Sequence, residues 1–192
     1  MRRDPTKGER GAALMEAAIG SILVVTLIFG VIEFGLAFKD YLSMSAAVRD
    51  GARVASTLGS TTSTDYDVIQ QIKRRMVAVD SNQIERIVVF KASSPSSTIE
   101  SVNAACKTTS ITNVCNSYSA ADLSRPSTDF VGSGSAKDVA WPPASREDTL
   151  SGPPDYVGVW VQISHQNITG LINVAETYSD EVVMRIEPAT IS

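Results

Sequence analysis

The sequence predicts an α+β protein, with a long amino-terminal transmembrane or spine helix, a second short helix, a small antiparallel sheet and one long disulfide-braced insertion. Three observations predict it. Residues 11–38 hold 20 apolar residues in 28. Helical periodicity continues beyond that run to about residue 58. Three later segments, 84–92, 156–165 and 181–187, have the composition of strands. Averages conceal this division, because 43% hydrophobic residues, 20% charged residues and a net charge of -4 over 192 residues describe an ordinary soluble domain. The same figures disfavour other classes. A mildly acidic chain lacks the one-signed charge of a nucleic-acid binder, and one histidine with two cysteines cannot build a metal cluster. Outside residues 11–38 there is too little apolar sequence for a second span.

The first ten residues, MRRDPTKGER, carry four basic and two acidic side chains and read as a short cytoplasmic leader. The following run, GAALMEAAIGSILVVTLIFGVIEFGLAF, is interrupted only by the charges of Glu16 and Glu33. As a helix it measures about 42 Å, enough for a hydrocarbon core about 30 Å thick and its interfaces. Basic side chains resist translocation, so the amino end stays inside and the chain beyond Lys39 is exported. A secretory signal peptide shares the basic-then-apolar pattern. Glu16 within the run, and the lack of a small-residue cleavage site before Lys39, argue against it. Past the membrane, Tyr41, Met44, Val48, Ala52, Ala55 and Leu58 recur at spacings of three and four, with Lys39, Asp40, Arg49, Asp50 and Arg53 largely elsewhere. One helix from about Ala12 to Leu58 follows, ending at Gly59.

Glu16 is the residue that needs explaining. A charge inside the hydrophobic zone costs about 2.5–3.5 kcal/mol on insertion scales and calls for a partner. No basic residue lies within one turn after it. In an uncleaved helix the carboxylate can snorkel to the nearby cytoplasmic interface. If the chain is cut after Gly11, Ala12 becomes the amino terminus, Glu16 stands fifth, and the free amine of a neighbouring copy becomes available. Three stretches in order, GAALMEAAI (11–19), VIEFGLAF (31–38) and AAVRDGARVAS (46–56), carry a resemblance here. The first resembles the prepilin processing site of type IV pilins and pseudopilins. Together they resemble the TadE-like proteins of the tight-adherence (Flp) pilus system, over residues 10–58.

That resemblance implies a single-pass protein of the bacterial cytoplasmic membrane, with its amino terminus inside and a pilin-like head in the periplasm or outside. It implies processing by a prepilin peptidase between Gly11 and Ala12, and partners among other pilins or pseudopilins, an inner-membrane assembly platform and a secretion ATPase. Major pilins of this class are much shorter and usually carry tyrosine after the glutamate, where this chain has Ala17. The resemblance therefore implies a minor component. The organisation expected is a leader at 1–11, a spine helix at 12–58 with about 14–38 in the membrane, and an exported head at 59–192.

Within the helix, Ala13, Ala17 and Ser21 repeat at i+4 and offer a small-residue face for packing another helix. Gly30 and Gly35 each cost about 1 kcal/mol relative to alanine and would ease local bending as the helix leaves the bilayer. Glu33 falls near the far interface, where a solvated carboxylate is unremarkable. In the head, a polar turn at 60–64 leads into a helix capped by Thr64 or Asp65, with Ile69, Ile72, Met76 and Val79 on its apolar face. Lys73, Arg74 and Arg75 read as its solvated side. The sheet is expected to pack on the exported half of the long helix.

An insertion of about 92–155 separates the first two strands. Residues 92–135 contain 17 Ser or Thr in 44, and Trp-Pro-Pro at 141–143 and Gly-Pro-Pro at 152–154 punctuate what reads as a long surface excursion. Cys106 and Cys115 in an exported chain predict a disulfide. His165, at a strand end, reads as a surface or edge residue rather than a general base. No Gly-x-Ser-x-Gly elbow occurs, and Asn167-Ile-Thr169 has the form of a glycosylation sequon whose meaning lapses in a bacterial setting. No catalytic set, cofactor or metal site is expected. Three functions remain: a structural minor pilin, an uncleaved signal-anchored binding or adhesion module, and, distantly, an extracellular enzyme.

Overall fold

The computed structural model describes residues 7–77, 79–130, 140–148, 153–167 and 176–188, with side chains from residue 11 onward. It is α+β, as the sequence predicts. Helix α1 spans Lys7–Leu58, beginning before the expected Ala12. It stops where Gly59 adopts φ 50°, a left-handed conformation that glycine takes without a Cβ clash, and Gly59 N–H donates to the Ala55 carbonyl at 3.2 Å. Helix α2 spans Thr64–Arg75 and is followed by strand β1, Ile84–Ala92. A short helix α3, Ile99–Asn103, and strand β2, Cys115–Ser119, lie within the insertion. Strands β3, Tyr156–His165, and β4, Glu176–Arg185, complete the sheet.

The chain forms two compact units. One contains α1 as far as Lys39; the other, the head, contains Asp40–Gln166 together with β4 and the residues after it. The head is built on one antiparallel sheet in the order β2-β1-β3-β4. Two of its strands match the expected 84–92 and 156–165. The third starts earlier than 181, because the polar Glu176-Thr-Tyr-Ser-Asp180 stretch pairs along β3 from His165 to Val161. The fourth, β2, has no apolar alternation and was not foreseen; backbone pairing of Arg86–Phe90 with Ser119–Cys115 places it on the sheet edge.

Both faces of the sheet are covered, which revises the expected arrangement. Ile87, Val89, Val157, Val159, Val161 and Ile163 pack with Met44, Val48, Ala52 and Ala55 of α1 and Val68, Ile69, Ile72 and Met76 of α2. This is the predicted helix-on-sheet layer. On the opposite face, Val88, Phe90, Ala92 and Trp160 pack with Ile99, Cys106 and Cys115. The insertion is thus a third layer rather than a surface excursion. Its polar composition misleads because a few apolar side chains suffice to seal a narrow sheet. Strand β1 accordingly buries Ile87, Val88, Val89 and Phe90 in succession, where a half-exposed strand would alternate.

Two close approaches lock these layers. Phe90 is paired with Gly158, and a Cβ at Gly158 would lie 2.2 Å from Phe90 Cζ, so the ring lies over the glycine. A Cβ at Gly51 would lie 2.8 Å from Ile72 Cγ1, so α1 and α2 meet backbone to side chain at that point.

Candidate functional site

The first residues singled out by sequence lie on the amino-terminal part of α1. Gly11, Ala12, Ala13, Glu16, Ala17 and Ser21 are all exposed and all helical. Ser21 Oγ donates to the Ala18 carbonyl at 2.8 Å, closing on its own helix as hydroxyls do in an apolar setting. Leu14, Ile22, Leu27 and Phe34 are 72%, 66%, 68% and 73% exposed. The segment therefore presents apolar side chains around its circumference, far more than soluble chains leave uncovered, and α1 from Gly11 is long and apolar enough to cross a membrane. Glu16 is the exposed carboxylate within this surface. Glu33 is only 4% exposed, which corrects the solvated carboxylate expected at the far interface.

A second group of residues sits in the head, and the sequence reading missed most of it. Asp65, expected as a possible helix cap, is fully buried. The helix begins instead after Ser63, whose Oγ donates to Asp67 at 2.9 Å. Asp65 accepts from Arg146 Nη2 at 2.6 Å, Asn116 Nδ2 at 2.8 Å and Tyr118 Oη at 2.6 Å. Asn116 also donates to the Trp141 carbonyl and accepts from Trp141 N–H, both at 2.8 Å. The Arg146 guanidinium lies 4.4 Å from the Trp141 ring centroid, an aromatic face that compensates a buried cation. With both charged side chains 0% exposed, this cluster ties α2 to β2 and to the far end of the insertion. Asp148 adds another tie, accepting from Ser60 Oγ at 2.5 Å.

His165 is also buried, contrary to the surface or edge position expected for it. Its Nδ1 donates to Asp40 Oδ2 at 2.9 Å, so the imidazole and the carboxylate are buried together where β3 ends beside the start of the head's helix. Tyr178 packs against this pair and against Tyr41, with ring centroids 6.2 Å apart in each case. Its hydroxyl donates to Glu176, and that hydrogen bond, burial and the nearby charges of Glu176 and Asp40 push its pKa up to about 12. Cys106 and Cys115 form the predicted disulfide, with Cα atoms 6.1 Å apart and both side chains buried under the sheet. Among the described residues no group of three histidine, cysteine or acidic side chains is arranged to hold a metal ion. The Asn167 sequon continues into residues outside those described.

These features define a class: an α+β protein whose folded head follows an exposed apolar helix able to cross a membrane. Residues 11–53 match the family model described as TadE-like protein, so the resemblance noted over residues 10–58 is borne out there. The matched segment contains Gly11, Ala12, Glu16 and the first turns of the head's helix, and it ends before α2. TadE-like proteins are associated with the Tad pilus and are of a structural, non-enzymatic kind. No curated protein and no solved structure matches the chain.

Proposed function

We propose that the protein is a minor pilin or pseudopilin that takes part in assembling, priming or tipping a tight-adherence pilus for surface attachment. One observation carries the reading: the TadE-like match includes a helical stretch, Leu14 to Phe34, whose large apolar side chains are exposed and which bears an exposed carboxylate, Glu16. Such a surface is stable in a bilayer or against like helices, and the carboxylate needs a cation in either place. Cleavage between Gly11 and Ala12 by a prepilin peptidase supplies one. The new Ala12 amine on one copy pairs with Glu16 on another as the helix passes from lipid into a filament, and the Ala13, Ala17 and Ser21 stripe lets the helices approach closely. The basic leader favours an amino terminus in the cytoplasm and a head in the periplasm. The remaining pilins, the assembly platform and the secretion ATPase are the partners this role requires, and no catalytic step is assigned to the chain.

The amino-terminal end of the membrane-derived protein tests the reading. Sequencing or intact mass should give a chain beginning at Ala12; a chain retaining Arg2 to Gly11 would leave Glu16 without its partner and sink the mechanism. Glu16→Ala should leave cleavage and insertion intact, since it removes a costly charge, while lowering co-purification with other pilins by about tenfold, the equivalent of one charge-assisted contact. Pili assembled normally by this variant would refute the pairing.

A further inference from the structure

We propose that the carboxy-terminal end of α2 is a membrane-docking surface that holds the head against anionic lipid headgroups. The inference deepens the membrane-anchored reading above and rests on it. Lys73, Arg74 and Arg75 are all exposed on the last turn of α2. Among the described residues two of them meet no carboxylate: Lys73 Nζ donates to the Leu123 carbonyl at 3.4 Å, and Arg74 Nη2 to Gln71 Oε1 at 3.1 Å. Arg75 alone is paired, with Asp50 of α1. Directly beyond the helix Val77 is 85% exposed, more than any other large apolar side chain of the chain's described residues. A cationic cluster with an uncovered aliphatic side chain beside it is the composition of an interfacial anchor.

The position of this cluster within the head selects the partner. Ser43 Oγ donates to the Arg75 carbonyl at 3.5 Å, so the basic turn sits beside the first residues of the head's own helix. Tyr41 and Leu42 there are 39% and 51% exposed. Ser43 follows the last apolar residue of the membrane segment, Phe38, by five residues, so the covalent chain alone tethers this end of the head within about 18 Å of that segment. Tyr41, Leu42 and Val77 are exposed apolar or aromatic side chains on the same part of the head as the cations. Lipid phosphates supply the charge that Lys73 and Arg74 lack among the described residues of the head.

Val77→Trp in the full-length protein reports on this directly, because the two native tryptophans are buried in the head. The protein is reconstituted into vesicles of phosphatidylcholine, with or without phosphatidylglycerol, whose acyl chains carry bromine near the headgroup. Emission should be quenched in the phosphatidylglycerol vesicles and recover in high salt. Adding Arg74→Gln, and then Lys73→Gln, should lower the ratio of docked to undocked heads by about fivefold for each cation. Quenching that is equal in both lipids overturns the electrostatic partner. Unquenched emission that instead shifts with protein density gives the surface to a second copy and overturns the lipid assignment. If emission is unquenched while the protein resists carbonate extraction, the docking surface falls and the membrane span stands. If carbonate removes the protein, both fall.

Discussion

The two stretches of α1 are one helix by hydrogen bonding and two different objects by packing. From Leu14 to Phe34 its large apolar side chains stand exposed, and a Cβ added at Gly11, Gly20, Gly30 or Gly35 would meet nothing within 4 Å. From Met44 to Ala55 one face is sealed, with Met44, Ala47, Val48, Ala52 and Ala55 all 0% exposed. Both carry apolar side chains at helical spacing. What separates them is whether the chain supplies its own cover. The second stretch is a core helix whose stability comes from α2 and the sheet, whereas the first is apolar surface that only lipid or another helix can remove from water. Damage to the head should therefore spare the anchor, and alterations in the anchor should leave the head folded.

The largest break in that comparison should come from Asp65→Ala. It strips the buried Arg146 of its counter-charge and removes an acceptor from both Asn116 and Tyr118. Leaving such a charge uncompensated costs about 3–5 kcal/mol. The head should lose cooperative unfolding or melt far earlier by tryptophan fluorescence, since Trp141 reports on the cluster, while the same chain still partitions into membranes. A variant head as stable as the wild type would show that the cluster is not what ties the insertion to α2.

A smaller effect is expected from opening the disulfide. Cys106→Ser with Cys115→Ser frees a loop of sequence separation 9, for which chain entropy accounts for about 2–3 kcal/mol. Both sulfurs are buried against Val88, Phe90 and Trp160, so the loss falls on the outer layer of the sheet. Protection of β2 amides from hydrogen exchange should drop more than that of β3, which is paired on both sides. Uniform loss across the sheet would mean that the insertion and the helical layer unfold as one.

The legibility of the sequence follows the same divide. The long apolar helix was readable because its signal is local, one apolar run followed by continued helical periodicity, whereas the burial of Glu33 within it was not. In the head, β1 and β3 were readable from apolar alternation and α2 from its period, since burial there follows secondary structure. Strand β2 was not, because Asn116 and Tyr118 are buried polar groups whose acceptors lie 51 and 53 residues away at Asp65. Asp65 itself carried the signal of a helix cap, and Arg146, between Pro-Pro and Gly-Pro-Pro, carried none. His165 and Asp40 are 125 residues apart. A lone histidine at a strand end reads as exposed until the fold brings a carboxylate to it.

The smallest effects give the sharpest test, because one substitution can be made in both stretches of the same helix. Gly35→Ala adds a methyl where nothing lies within 4 Å and removes a glycine that costs about 1 kcal/mol in a helix. It should stabilise the anchor, slowing amide exchange at residues around 31–39 in micelles by about fivefold. Gly51→Ala gains the same propensity but pushes its Cβ to 2.8 Å from Ile72 Cγ1 and 2.9 Å from Ile72 Cδ1. Overpacking of this kind costs about 1–3 kcal/mol, enough to outweigh the gain and lower the head's denaturation midpoint. Opposite signs at positions 35 and 51 would confirm that packing distinguishes the two stretches. A loss at Gly35 as well would mean that bending there matters more than helicity, and stabilisation at both would mean that α2 yields at Ile72 and the contact between the helices is looser than its distances imply.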